Sequence, residues 1–259
     1  MDDASVPHPG TSPRPGSPQP GLPHGALPHE FDHTHADVSG GWLRAAAFGA
    51  MDGLVTNTSL LAGVGGAGLG AHEIVMSGIA GLAAGAFSMA LGEFASVSTA
   101  NHQIDAEVKV ETRAQARHPV SEQTELVGTF VEMGMSEETA RVAAAEVHRD
   151  PKQAVTLHLT HELGVDPTEK PSPLVAGASS FVMFAIGAIV PLIPYLLGFS
   201  SLVAGLAVGC VGLMVVGAVT AHLTSRPLVR GALRQLMFGL VAVGATYLVG
   251  LAVGVGVTG

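Results

Sequence analysis

Five apolar stretches dominate the sequence, and each is long enough to cross the hydrocarbon core of a bilayer, which takes about 20 helical residues. They run from Trp42 to Ala67, Glu73 to Val97, Leu174 to Leu197, Ser200 to Leu223 and Leu228 to Val257. Only 13% of the residues are charged, against about 25% in soluble domains. The sequence therefore predicts an all-α membrane protein with five transmembrane helices.

The segments between these stretches divide the chain into four parts. Residues 1–39 form a proline- and histidine-rich tail that we expect to be disordered. Residues 40–98 hold the first two spans, residues 99–173 form a polar helical domain, and residues 174–259 hold spans three to five. His29, His33 and His35 in the tail fit either a flexible arm that gathers cations or solvated low-complexity sequence.

The basic residues predict the orientation. All twelve Lys and Arg lie in the tail, in the polar domain, in the loop between spans four and five, or at the ends adjoining them. Under the positive-inside rule the N-terminus and the polar domain lie in the cytosol, and the C-terminus lies outside. We expect an integral protein of a bacterial plasma membrane. The net charge of -9 argues against a nucleic-acid partner.

Acidic residues inside the apolar stretches are the first sign of function. Asp52 lies about ten residues, or roughly 15 Å, inside the first span, where a carboxylate costs about 2.5 to 3.5 kcal/mol. Glu93 lies near the cytosolic end of the second span, and Met89 lies one turn deeper. Either these two line a cation path that leads to Asp52, or Glu93 reaches for the interface and Met89 fills a packing gap.

The donor types favour a particular class of cation. Carboxylate oxygens suit hard divalent ions, whereas a thioether is a soft ligand that magnesium and calcium do not prefer. The combination of Asp52, Glu93 and Met89 therefore indicates a first-row transition metal such as Fe(II) or Mn(II).

The polar domain offers further ligands at helical spacing. Glu107 and Glu111 are separated by four residues, as are His158 and Glu162, and Glu122 and Glu125 are separated by three. Such pairs lie on one helix face, and a single pair is more often a solvated face than a site. Because three helices each offer carboxylates, we predict that the six residues contribute to a cytosolic metal site.

Three motifs resemble those of the vacuolar iron transporter family. They are "GWLRAAAFGAMDGLVTNTSLLAGVGGA", "GIAGLAAGAFSMALGEFASVS" and "HELGVDP", in that order, and the resemblance extends over about residues 41–257. It implies a homodimer of five-helix subunits that carries Fe(II) or Mn(II) out of the cytosol in exchange for protons. It also implies a metal-binding helical domain between spans two and three, with a path lined by the first helices of both subunits.

The resemblance also assigns roles to individual residues. Asp52, Met89 and Glu93 match the family's path residues, and Glu111, Glu122, Glu125 and Glu162 match its cytosolic metal site, with His158 close by. Ala114 stands where the family has a further glutamate, so the number of bound ions is open. No cofactor is expected to be permanently bound, because the metal is the transported ion.

Two other classes of function were weighed against transport. A membrane-tethered metal sensor or storage module would use the polar domain and need only an anchor. An intramembrane hydrolase is disfavoured, because the "HE" pairs at 29, 72 and 161 lack the second histidine of a zinc-protease motif. We therefore expect a transporter and not an enzyme.

Overall fold

A computed structural model describes the backbone of residues 41–258 and the side chains as far as residue 254. Within this range the chain is helical and has no strand. The helices are α1 (Trp42–Gly66), α2 (Ala71–Arg117), α3 (Pro119–Glu132), α4 (Glu137–Val147), α5 (Pro151–Leu163), α6 (Pro173–Ile189), α7 (Ile193–Leu196), α8 (Leu202–Leu223) and α9 (Leu228–Thr258). The predicted disordered tail and its histidines lie outside the described residues.

The long helices are those of an integral membrane protein. Among the described residues, four segments are long and apolar enough to span a bilayer: α2, the segment of α6 and α7, α8, and α9. Helix α1 falls below that apolarity because it carries Asp52 together with the buried polar residues Asn57, Thr58 and Ser59. It nevertheless packs against α2, α6, α8 and α9, at the centre of the bundle. The predicted count of five spans stays a prediction.

Glycines set the close approach of α1 to α6. A Cβ atom added at Gly53 would overlap the carbonyl of Phe184, and one added at Gly187 would overlap the carbonyl of Ala50. One turn after Gly53 on α1, the side-chain amide of Asn57 donates a hydrogen bond of 2.5 Å to the carbonyl of Ala188 on α6. Small residues allow such backbone contact in lipid, where burial of apolar surface gives no net gain. These contacts fix the rotation of α1, and with it the direction of the neighbouring Asp52.

Helix α2 continues far beyond the predicted end of the second span. It is one uninterrupted helix of 47 residues, so the predicted division at residue 98 falls within it. No proline interrupts this segment before Pro119, which opens α3. The chain returns to the bundle beside α2. There the Asn101 side-chain amide donates a hydrogen bond of 2.9 Å to the Pro171 carbonyl, and Lys170 forms an ion pair with Asp105.

Two local features of the helices follow directly from residue chemistry. Pro191 and Pro194 interrupt the third apolar stretch: α6 ends at Ile189, and a 3-10 turn leads into the short helix α7. Ser136 caps α4, because its hydroxyl accepts a hydrogen bond of 3.3 Å from the Thr139 amide. Proline removes a helical hydrogen bond, whereas a serine cap satisfies a free amide.

Helices α3, α4 and α5 form a small polar domain with its own core. Leu126 and Phe130 of α3 pack against Ala140 and Ala144 of α4. Helix α5 packs against both α2 and α4. This arrangement turns one face of α5 towards α2 and α3, which carry the predicted glutamates.

Candidate metal sites

Three predicted ligands meet where α2, α3 and α5 converge. Glu111, Glu122 and His158 each offer a ligand atom, and these atoms lie within 4.8 Å of one another. His158 Nδ1 lies 3.5 Å from Glu111 Oε1 and 3.9 Å from Glu122 Oε2. His158 is 2% exposed and Glu111 is 8% exposed. We call these three residues the cytosolic cluster, after the predicted location of the polar domain.

The other predicted cytosolic residues take different positions. Glu162 Oε1 lies 3.4 Å from His158 Nδ1 at the solvent edge of the cytosolic cluster. Glu125 is exposed but acts on Glu122 through its charge. Glu107 is exposed one turn before Glu111 and lines an apolar groove with Leu159 and Leu163. The geometry therefore joins Glu162 directly to the cytosolic cluster, places Glu125 beside it, and leaves Glu107 at a neighbouring surface.

The electrostatics of the cytosolic cluster disfavour the charged form of the Glu122 carboxyl. Burial raises the pKa of the Glu122 carboxyl above its usual value of 4.5, and the charges of Glu111 and Glu125 raise that pKa further. The neighbouring His158 lowers it only in part. A divalent cation would relieve both the burial cost and the repulsion, so this arrangement is suited to binding one.

His148 is a member of this neighbourhood that the sequence analysis missed. Its ring contacts the His158 ring edge-on, with the centroids 5.5 Å apart. Its Nδ1 lies 2.8 Å from the Ala144 carbonyl, which accepts hydrogen bonds only, so in the neutral ring Nδ1 is the donor and Nε2 is the acceptor. Both His148 Nε2 and His158 Nε2 are buried without a hydrogen-bond partner. His148 lies directly after α4, and His158 lies ten positions later on α5, so no local spacing signals the pair.

Gln115 is a second residue that the sequence analysis missed. Its side-chain amide donates a hydrogen bond of 3.1 Å to Glu111 Oε1. Because the two residues are four apart on α2, helical spacing could have found this contact. The bond holds the Glu111 carboxylate in the orientation that faces His158.

In the membrane bundle, Asp52 faces a groove between α1 and α9. Phe48, Met51, Arg234 and Gln235 also line this groove, whose volume is about 340 Å³. The Asp52 carboxylate accepts a hydrogen bond of 3.3 Å from the Thr56 hydroxyl, one turn along the same helix. Among the described residues, no basic group lies within 4.0 Å of it. The carboxylate is thus partly accessible and uncompensated by a basic partner.

Glu93 and Met89 have other neighbours. Glu93 accepts a hydrogen bond of 2.5 Å from the guanidinium of Arg44 at the start of α1. Met89 packs against the buried cluster of Ala86, Phe184 and Ala188. Asp52, Met89 and Glu93 therefore each have a different immediate environment, and their joint role in a path stays a prediction.

The glycines that precede Met89 and Glu93 on the same helical stripe of α2 also pack within the chain. A Cβ atom at Gly81 would overlap Leu60 of α1, and one at Gly85 would overlap the Phe184 ring of α6. The stripe therefore faces α1 and α6 of its own chain.

Comparison with known proteins agrees with this architecture. The sequence profile of the VIT family matches residues 43–251. The chain belongs to the VIT family. The expected resemblance to vacuolar iron transporters is thereby confirmed.

Several VIT family relatives resemble the chain over most of their length. Vacuolar iron transporter homolog 5 of Oryza sativa subsp. japonica is 33% identical over 209 residues, which are 80% of this chain and 77% of the relative. The vacuolar iron transporter of Acanthamoeba castellanii is 31% identical over 215 residues, 81% of this chain and 78% of the relative. Vacuolar iron transporter 1 of Arabidopsis thaliana is 27% identical over 222 residues, 83% of this chain and 88% of the relative. Membership of the VIT family supports a membrane transporter of metal ions.

Proposed function

We propose that this protein moves Fe(II) or Mn(II) out of the cytosol in exchange for protons. The observation that carries the proposal is the convergence of Glu111, Glu122 and His158 from three helices at one buried point. Carboxylate and imidazole ligands together suit Fe(II) and Mn(II). The names of the relatives, which are iron transporters, favour iron as the first ion to test.

In this proposal the cytosolic cluster captures the ion and Asp52 receives it within the membrane. Five spans would place the polar domain and the N-terminus in the cytosol and the C-terminus outside, in the plasma membrane of a bacterium. Glu93 and Met89 would lie on the path between the cytosolic cluster and Asp52. Protons would move in the opposite direction, because a carboxylate must lose its proton to bind metal and can regain it after release.

A homodimer would complete the membrane site. Phe48 and Thr56 are exposed on α1, and Asp52 lies between them on the same face. A carboxylate and a hydroxyl facing lipid are costly, so a second copy of α1 is the proposed cover.

A cross-linking experiment tests this dimer. Cys210, the chain's single cysteine, is replaced by Ser, and Thr56 is replaced by Cys. Oxidation should cross-link two copies, whereas Val203→Cys on the exposed face of α8 should not cross-link. The reverse pattern would place the interface elsewhere.

One observation favours a second candidate, a membrane-tethered metal sensor or storage module. Glu93 is paired with Arg44 and Met89 is packed in a hydrophobic cluster, so both have structural roles that need no passing ion. A tether, however, has no use for the Asp52 carboxylate in its groove. Transport itself therefore separates the two candidates.

The deciding experiment measures metal-dependent proton flux in liposomes that contain the purified protein. A pH gradient is imposed, and Fe(II), Mn(II), Co(II) and Zn(II) are added in turn. We expect proton flux with Fe(II) or Mn(II), and we expect Asp52→Ala to abolish it. Glu73→Ala, which removes an exposed acid at the start of α2, is the control that should retain flux. Metal binding without any flux would establish the sensor instead.

A further inference from the structure

Three arginines lie on one stripe at the start of α9 and in the turn before it. Arg230 and Arg234 are four residues apart on one side of α9. Arg226 lies in the non-helical turn before α9 and lines the same pocket. All three are exposed. The metal-transport proposal gives these side chains no role, and of the three only Arg234 also lines the Asp52 groove.

The stripe has no acidic partner among the residues that the structure describes. The ion pairs there, defined by a nitrogen–oxygen distance of 4.0 Å or less, include none of the three arginines. By contrast, Arg44 and Arg141, which are also exposed, each contact a glutamate. Three positive charges are thus concentrated in a chain whose net charge is -9.

The arginines form one wall of an open pocket between α8 and α9. Thr220 of α8 and Thr224, directly after that helix, form the facing wall, and the pocket volume is about 580 Å³. The first turn of α9 begins at Leu228, directly beside Arg226 and Arg230. Amide groups at the start of a helix are unpaired and carry partial positive charge, so they add to the arginine charges. The pocket is therefore suited to an anion with several oxygen acceptors.

The surroundings of the pocket favour a lipid over a soluble anion. Arg234 lies about 6 Å further along α9 than Arg230, so in the predicted orientation the pocket extends from the cytosolic membrane surface towards the bilayer. Val229, Leu233 and Met237 are exposed apolar residues on the same helix, where acyl chains would lie. Basic pockets between transmembrane helices on the cytosolic side are suited to anionic lipid headgroups.

We propose that the pocket between α8 and α9 binds the phosphate headgroup of an anionic phospholipid through Arg226, Arg230 and Arg234. Arg230 and Arg226 contact the phosphate at the surface, and Arg234 holds the headgroup from the membrane side. The guanidinium group is suited to this role, because its planar fork of donors can bind two phosphate oxygens at once. This inference does not depend on the metal that the protein transports.

The test uses the purified full chain and native mass spectrometry with phosphatidylglycerol, phosphatidylcholine or inorganic phosphate. We expect retention of phosphatidylglycerol in preference to phosphatidylcholine. Each arginine near an anionic surface contributes about a fivefold change in affinity, so Arg226→Gln, Arg230→Gln and Arg234→Gln together should weaken binding about a hundredfold. The charge-matched control, Arg141→Gln with Arg149→Gln and Lys152→Gln on α4 and α5, should bind as the parent does.

Every outcome decides the proposal. Equal retention of phosphatidylglycerol by the triple variant and the parent would overturn it. Displacement of the lipid by inorganic phosphate at the same concentration would show a soluble-anion site and would also overturn it. Should the triple variant fail to fold, the single change Arg230→Gln on the exposed surface must still weaken binding about fivefold, and unchanged binding would refute the proposal.

Discussion

The cytosolic cluster and the Asp52 groove are two acidic regions built in opposite ways. In the cytosolic cluster, ligands from three helices meet within one chain, and His158 is 2% exposed. In the groove, a single carboxylate has only the hydroxyl of Thr56 on its own helix as a hydrogen-bond partner, among the described residues. The cytosolic cluster is thus preformed in one copy, whereas the groove offers one anionic ligand. In the proposed function, capture of an ion and its passage through the membrane therefore make different demands on the fold.

The largest effect is expected from removing the carboxylate ligands of the cytosolic cluster. Glu111→Gln combined with Glu122→Gln removes both negative charges while keeping the side-chain shapes. We expect the affinity of the purified protein for Mn(II) to fall more than a hundredfold, because the remaining ligands are a histidine and the peripheral Glu162. Isothermal titration calorimetry measures this change. Glu137→Gln with Glu138→Gln on α4 is the charge-matched control, and equal losses in both variants would mean that binding depends only on net charge.

His148 tests whether orientation of His158 contributes to the preformed geometry. A His158 that binds metal through Nδ1 needs an acceptor for its Nε2 proton, and the His148 Nε2 lone pair is the adjacent buried one. We expect His148→Phe, which keeps the ring contact, to weaken Mn(II) binding about tenfold. Calorimetry measures the affinity, and His161→Phe at the exposed end of α5 is the control. An unchanged affinity would restrict His148 to packing.

Arg44 tests the membrane side of the comparison. Its guanidinium neutralises Glu93 and repels cations from that end of α2. We expect Arg44→Gln to lower the half-saturating metal concentration for transport severalfold. The free energy of unfolding should change by less than about 1 kcal/mol, because the arginine side chain is 67% exposed. Proteoliposome uptake and chemical denaturation check the two effects. Weaker uptake by Arg44→Gln would mean that Arg44 instead holds Glu93 in its working position.

The smallest expected effect concerns stability without metal. Burial raises the pKa of Glu122 in the folded protein, so the contribution of this group to stability is present below its unfolded pKa and is lost as pH rises through the folded pKa. The metal-free protein should therefore become less stable as pH rises above about 4.5 through that raised pKa. Glu122→Gln should flatten this dependence and raise the melting temperature at neutral pH by about 2 °C. A steeper dependence in the variant would contradict this interpretation.

Residue spacing revealed the ligands of the cytosolic cluster better than those of the membrane path. Glu111, Glu122 and His158 were recognisable because each belongs to a pair at helical spacing, and family resemblance grouped them. The partner of Glu93 was not recognisable from spacing. Arg44 is 49 residues distant in sequence and contacts Glu93 only because α1 packs on α2. The contact of Met89 with the Phe184 cluster likewise depends on how α6 packs.

The length of α2 was also not predictable from the hydropathy pattern that identifies the spans. A hydropathy change at Val97 marks where the solvent changes, not where the helix ends, and no proline interrupts the segment before Pro119. The interruption after Ile189, by contrast, was predictable because proline acts locally. Local chemistry was therefore readable from the sequence, whereas contacts between distant helices required the fold.

The continuity of α2 joins the cytosolic cluster to the ion pair of Glu93 with Arg44. Glu93 and Glu111 are 18 residues apart on this one helix, which is five complete turns and about 27 Å. The two carboxylates consequently project in the same direction from a single rod. A rotation of α2 about its axis at Glu111 would therefore also move Glu93 relative to Arg44.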